Sequence, residues 1–290
     1  MKKKYLDGSL LTIGASLWWG IIGVIYFKFV SFASPIELVV HRTLWTAFLL
    51  IITTFLFSKW KIFFNVLKST KKIILLFISG FLVMVNWLTW LYAISVDKLV
   101  DASFGYYIFP IFSVFFGVIF LKENYNRNKI YAVILVFISI LYLILHYKTL
   151  PWIGLTVAIT FSVYGLIRKK ISLESDIALL IETLLLSPIA IIAFVYLVKL
   201  DLNIFSFNEM KLSFYLLFAG PMTLIPLYLY TKGLQLVGIG PASMIFFVAP
   251  TSQFILGTLV YGETLDAHKL ISFFFVWIAV FIYLNELRKE

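Results

Sequence analysis

Residues 101–110 read DASFGYYIFP, and the chain writes the same pattern again at residues 240–250 as GPASMIFFVAP. With the chain slid against itself by 140 residues, Ala102 falls on Ala242, Ser103 on Ser243, Pro110 on Pro250 and Gly117 on Gly257. The register holds downstream, where Glu123 meets Glu263 and Lys129 meets Lys269, and upstream at Thr43/Thr183 and Leu44/Leu184. One unit of about half the chain is therefore used twice. Each copy carries a proline, Pro110 or Pro250, near the middle of a long apolar run, where it breaks the helical hydrogen-bond ladder. A pair of interrupted apolar segments at corresponding places in two halves points to a transport site.

Composition puts these runs in a membrane. Of the 290 residues, 62% are hydrophobic and 13% charged, with a mean hydropathy of +1.02, more apolar surface than a water-soluble core can hide. No polar linker divides the chain, so residues 1–290 read as a single integral membrane domain with lipid as its surroundings. The lack of cysteine excludes disulfides and thiolate metal sites, and His41, His146 and His268 are too scattered to hold a metal. No nucleotide-binding or hydrolase motif is present, so neither a cofactor nor direct use of ATP is expected.

About 20 apolar residues cross a bilayer core. Ten stretches qualify or nearly do: 8–27, 36–57, 73–96, 102–121, 130–147, 150–167, 177–198, 212–231, 237–261 and 267–284. Lysine and arginine then set the orientation. Clusters at Lys2–Lys4, Lys59–Lys72, Lys122–Lys129 and Arg168–Lys170, with Lys232, Arg288 and Lys289, fall on one side. Only the isolated Lys28, Lys98, Lys148, Lys199, Lys211 and Lys269 fall on the other. Both termini are thus expected in the cytoplasm, and the net charge of +10 reads as this topology signal facing anionic headgroups, not as nucleic-acid binding.

Five spans per unit is an odd number, so the second copy inserts upside down. The expected architecture is all-α, ten transmembrane helices in two inverted five-helix repeats, residues 1–148 and 149–290. Exchanging the conformations of two such halves turns a cavity open to one face into a cavity open to the other.

Charges within spans are costly and usually functional. Arg42 in VVHRTLW and Glu182 in LLIETLL coincide at the 140-residue offset. Each lies roughly 8 to 9 Å from its own surface, leaving roughly 12 Å of depth between them, which favours two separate charges on a cavity over a direct ion pair. Snorkelling to the nearer interface is the plain alternative for both. Glu182 is a candidate for proton coupling or gating, and His41 for a relay, with simple packing equally open for His41. Asn86 and Trp90 share a helix face in VNWLTWLY, and Tyr230 stands at the matching place of Trp90 in the second copy. With Tyr106 and Gln253 they describe a cavity for flat or amphipathic molecules, the plain alternative being an interfacial aromatic belt. Ser103 and Ser243 beside Pro110 and Pro250 fit either a lining or a close helix contact.

Taken together, WWG at Trp18–Gly20, His41-Arg42, Asn86-Trp87, ASFGY at Ala102–Tyr106, YGLIRKK at Tyr164–Lys170, IET at Ile181–Thr183 and YGE at Tyr261–Glu263 resemble the RarD-type permeases. These belong to the EamA-type branch of the drug/metabolite transporter superfamily. The resemblance spans essentially the whole chain and implies ten helices in inverted halves, a bacterial inner membrane and a central substrate cavity. The family label mentions chloramphenicol sensitivity and names no physiological substrate. The chain departs from the family pattern at Phe109, where an asparagine is usual, at Lys122, where a glycine is frequent, and at Gly23, where a proline is missing after WWG.

The expected function is secondary transport of small metabolites or amphipathic drug-like compounds, gradient- or exchange-driven, with a proton as one candidate for coupling. The rival from another class is an intramembrane lipid-modifying enzyme, which should cluster buried titratable groups; a passive channel should show a continuous polar stripe. The sequence displays neither.

Overall fold

A computed structural model describes residues 2–123, 126–148, 152–263 and 266–287. The start of the second repeat at 149, Leu150 at the head of the expected sixth span, and Arg288 and Lys289 lie outside these residues. Among the described residues all regular structure is helical. The first rod joins α1 (Lys2–Leu17), a π-helical stretch (Trp18–Gly23) and α2 (Val24–Phe29). The chain continues through α3 (Pro35–Leu56), α4 (Trp60–Leu67), α5 (Thr70–Ser95), α6 (Leu99–Leu121), α7 (Arg127–Tyr147), α8 (Trp152–Ile171) and α9 (Ser175–Lys199). Next come α10 (Met210–Leu217), α11 (Ala219–Val237), α12 (Ile239–Ile245), α13 (Val248–Ile255), a second π-helical stretch (Leu256–Val260) and α14 (Ala267–Leu287).

Local chemistry explains several boundaries. Ser34 caps α3 by accepting from the Glu37 N–H, with Pro35 at the first helical position, and Asn126 caps α7 through the Lys129 N–H. The chain leaves α6 through Lys122 in the left-handed conformation (φ +55°), which a glycine would adopt at less cost. At the equivalent place in the second half Gly262 has φ +68°.

Among the described residues eight stretches are long and apolar enough to cross a bilayer; Ala267–Tyr283 is a shorter apolar helix, and α8, whose last turn holds Arg168, Lys169 and Lys170, is not among the eight. Phe55, Phe57, Ile192, Leu259 and Phe281 are each at least 70% exposed, a liability in water and the natural lining of a surface bathed in hydrocarbon. The protein is a multi-pass membrane protein.

The two expected helix interruptions do not behave alike. Pro250 follows a two-residue turn, Phe246 and Phe247, between α12, which ends at Ile245, and α13, which begins at Val248, so the proline lies in a first turn where no N–H partner is required. Pro110 instead lies inside the continuous α6, and the interruption expected there is absent. Short amphipathic α4, between the second and third spans, was not foreseen either.

Helices pack most closely where side chains are smallest. A Cβ placed on Gly105 of α6 would stand 2.6 Å from the backbone of Gly154 in α8, and one on Gly233 of α11 would stand 2.4 Å from Thr12 Oγ1 of α1. α3 packs on α9 and α11, α5 on α8 and α9, and α13 on α6 and the first π-helical stretch. α7 pairs with α14, where the Ser139 hydroxyl donates to the Ser272 carbonyl at 2.9 Å.

Candidate functional site

A narrow cavity of about 20 Å³, little more than one water needs, lies where these helices converge. Its walls are Trp19 of the first π-helical stretch, Arg42 of α3, Asn86, Trp87 and Trp90 of α5, Tyr106 of α6, Phe161 of α8, Phe246 at the α12–α13 break and Gln253 of α13. Five of the six residues expected to bind substrate, Arg42, Asn86, Trp90, Tyr106 and Gln253, meet here. The sixth, Tyr230, packs its ring against Phe161 (5.0 Å), Phe246 (5.3 Å) and Trp19 (6.1 Å), which themselves line the space. A wider cavity of about 330 Å³ opens beside Lys98, Tyr147 and Lys269, but none of the expected site residues lines it. The convergence of buried polar atoms, not volume, singles out the smaller one.

Arg42 is buried at 2% exposure. Its Nε donates to Thr223 Oγ1 at 2.9 Å, and the guanidinium lies 4.6 Å from the Phe27 ring centroid and 4.4 Å from that of Trp87. Two ring faces are a partial substitute for water around a cation. Among the described residues no carboxylate comes within ion-pair distance of it, so a buried positive charge faces the cavity uncompensated by an anion.

Asn86 is fully used. Its amide donates to the Val157 carbonyl (2.9 Å) and Thr160 Oγ1 (3.1 Å) of α8, and its oxygen accepts from the Tyr106 hydroxyl (3.1 Å). It therefore fastens α5, α8 and α6 together and fixes the Tyr106 ring on the cavity wall. By contrast, Trp90 Nε1, Gln253 Oε1 and the Tyr230 hydroxyl are buried with no hydrogen-bond partner among the described residues. Each such atom costs about 1–3 kcal/mol until something pairs with it. A donor, an acceptor and a hydroxyl left open around an aromatic wall suit a ligand with both polar and flat apolar parts.

Glu182 is placed elsewhere, with a partner from the basic run that ends α8. Arg168, buried at 2%, brings its guanidinium to 3.2 Å from the Glu182 carboxylate, whose other oxygen accepts from Ser79 at 2.5 Å. The Tyr164 ring lies 5.9 Å from the same guanidinium. The structure thus corrects one expectation: buried titratable groups do cluster, with Arg168 of the basic run among them. Helical spacing held the missed signal, because Tyr164 and Arg168 stand one turn apart and face the same way. Arg42 and Glu182 remain separate charges, each with its own neighbours.

His41 does not line the cavity. Its Nδ1 accepts from Trp45 Nε1 at 3.0 Å, its ring packs on Phe205 at 4.7 Å, and its Nε2 lies 3.8 Å from Glu37. The Glu37 carboxylate accepts from the backbone N–H groups of Ile204 (2.8 Å) and Phe205 (2.8 Å), tying the start of α3 to the segment after α9. Trp19, Trp87 and Phe161 were missed as lining residues, since in a chain with 54 aromatic residues by composition an individual ring carries little positional information. Among the described residues no group of three or more His, Cys, Asp or Glu could hold a metal.

Comparison with known proteins adds the following. Residues 6–145 match the model of the EamA-like transporter family. The chain is 33% identical over 284 residues to the protein RarD of Salmonella typhi, covering 98% of this chain and 96% of that one. It is also 33% identical over 276 residues to an uncharacterized transporter of Vibrio cholerae, covering 95% and 91%. A crystal structure with 13% identity superposes with a TM-score of 0.67 over 97% of this chain and 98% of the other, a likeness of fold alone.

Proposed function

Since this membrane transporter belongs to the RarD-type branch of the EamA-like transporter family, we propose that it is a secondary active transporter of small, flat, amphipathic compounds carrying an anionic group. The observation that carries the reading is the buried Arg42, without a carboxylate partner among the described residues, in an aromatic cavity whose Trp90 and Gln253 polar atoms are unpaired. Arg42 binds the anionic group, Trp90, Tyr106 and Tyr230 form walls for the flat part, and Gln253 pairs its polar edge. Asn86 acts by holding the wall in place.

The proposed architecture is ten spans in two inverted repeats, 1–148 and 149–290, with both termini in the cytoplasm of a bacterial cell and the spans in its inner membrane. Reciprocal packing supports it: α3 on α11 answers α9 on α5, and α1 on α11 answers α8 on α5. The family match ending at residue 145 agrees with the proposed repeat boundary. Alternating access is the mechanism, and a cavity of about 20 Å³ suits an intermediate closed to both faces. Glu182 serves in coupling or gating through its Arg168 pair, and His41 in the closure beside Glu37. The helix break before Pro250, with Pro110 packed in the opposing helix, supplies the flexible point.

The buried Arg168–Glu182–Tyr164 cluster favours a second reading, a lipid-modifying enzyme within the bilayer. Arg168 and Glu182 are paired with each other, and no member of the cluster lines the cavity, which is why transport is preferred. The test compares metabolites of cells with and without the protein, then measures uptake of the differing compound into proteoliposomes at set pH gradients. Saturable uptake abolished by Arg42→Gln supports transport; turnover of a lipid with no uptake of any compound overturns it.

A further inference from the structure

Glu123 and Glu263 hold the same place in the two copies of the repeat, and each reaches across to the other copy. The Glu123 carboxylate accepts from the backbone N–H groups of Ile239 (2.8 Å) and Gly240 (3.1 Å), where α12 begins. The Glu263 carboxylate accepts from those of Leu99 (3.0 Å) and Val100 (2.8 Å), where α6 begins. Ile239 and Gly240 are the offset mates of Leu99 and Val100, so the two contacts exchange under the repeat. Glu123 follows the end of α6, and Glu263 follows the second π-helical stretch, so the contacts sit at opposite ends of one helix pair.

The surroundings are duplicated as well. A residue with positive φ precedes each glutamate, Lys122 at +55° and Gly262 at +68°. The Glu123 N–H donates to the Gly117 carbonyl at 3.0 Å, and the Glu263 N–H to the Gly257 carbonyl at 2.9 Å. Gly117 and Gly257 are themselves offset mates; a Cβ on Gly117 would come within 2.9 Å of the Glu123 carboxylate. Two such turns at opposite ends, each aimed at the other copy, are more than ordinary helix capping requires.

α6 and α12–α13 flank the central cavity through Tyr106, Phe246 and Gln253. For a molecule to leave that cavity toward one face, the helix ends at that face must part while those at the other stay joined. A carboxylate receiving two backbone N–H bonds is a strong joint, roughly twice a neutral hydrogen bond. It is also reversible here, because both glutamates are partly exposed and water can solvate the separated groups. We propose that Glu123 and Glu263 are the two latches of the transport cycle, each closing one face and released in turn. In this structure both are closed.

The inference rests on the alternating-access reading, and its test needs no transported compound. The chain lacks cysteine, so single reporters can be placed without further change. Ser103 and Ser243, offset mates buried in α6 and α12, lie between the cavity and the outer and cytoplasmic faces of the proposed topology. Ser103→Cys and Ser243→Cys are labelled with a membrane-impermeant maleimide in right-side-out and inside-out vesicles. Glu123→Gln is expected to raise labelling of the Ser243→Cys reporter from the cytoplasmic face about tenfold and to lower that of Ser103→Cys from outside. Glu263→Gln is expected to do the reverse. Glu123→Asp and Glu263→Asp, which keep the charge on a shorter arm, shift the balance the same way by less and serve if a glutamine variant does not fold. Both reporters rising together in either variant marks static caps and overturns the proposal, as does labelling that neither substitution moves. The uptake assay decides the transporter reading independently of either result.

Discussion

At the scale of single residues, the repeat has put opposite charges in equivalent places and then treated them differently. Glu182 is matched by Arg168 and Ser79, whereas Arg42 has rings and a threonine around it. Burying a charge without a counter-ion is worth its cost only if something arrives to compensate it. Arg42→Gln is therefore expected to lower kcat/KM for the transported compound about 10- to 100-fold in proteoliposomes. Arg42→Lys is expected to recover little, because an ammonium cannot lie flat between two rings. The paired charges predict a different pattern. Arg168→Met strands Glu182 and should cost about 3–5 kcal/mol, read as thermal stability in detergent, while Arg168→Met combined with Glu182→Met should recover most of the loss. Additive losses would instead show that the two groups act separately. If Glu182 couples protons, Glu182→Gln should abolish uptake against a gradient and leave exchange intact.

At the scale of elements, close approach of backbones decides how far the helices can move. The α6–α8 contact closes on Gly105 and Gly154, and α6 is also the helix whose first turn Glu263 holds. Gly105→Val would force the two helices apart and is expected to cost about 1–3 kcal/mol, measured as a lower Tm in detergent. The same substitution should enlarge the space around Tyr106, so Asn86 would lose its grip on that ring and substrate affinity should fall as well. The asymmetry between Pro110 and Pro250 belongs at this scale. A proline in the first turn of α13 costs no hydrogen bond, whereas one inside α6 removes a bond that neighbouring helices must offset.

At the scale of the whole molecule, the mechanism depends on orientation. An impermeant maleimide applied outside the cell is expected to label cysteines introduced at Lys148 and Asn208 and to spare those at Lys3 and Lys71. A reversed or mixed pattern would place the repeats differently and remove the basis for alternating access. The molecule's exposed surface is a second whole-molecule property: side chains such as Phe55, Leu259 and Phe281 present rings and branched chains outward because hydrocarbon, not water, is their solvent.

Residue order alone pointed to a bilayer, to a pattern of residues that recurs at a 140-residue offset, and to Arg42, Asn86, Trp90, Tyr106 and Gln253 as members of one lining. These follow from composition, helical spacing and an offset that survives along the chain, all local or one-dimensional properties. Only the tertiary structure decided who partners whom. Arg168 sits in a basic run that looks like a loop, and only the packing of both α8 and α9 on α5 turns it toward Glu182, to which Ser79 of α5 also donates. Glu123 and Glu263 stood out in the sequence only as matching letters; their bonds exist because the end of α6 lies beside the start of α12 and the stretch after α13 beside the start of α6. A linear pattern records which face of a helix a side chain occupies, while the neighbour across that face is chosen by how the helices pack.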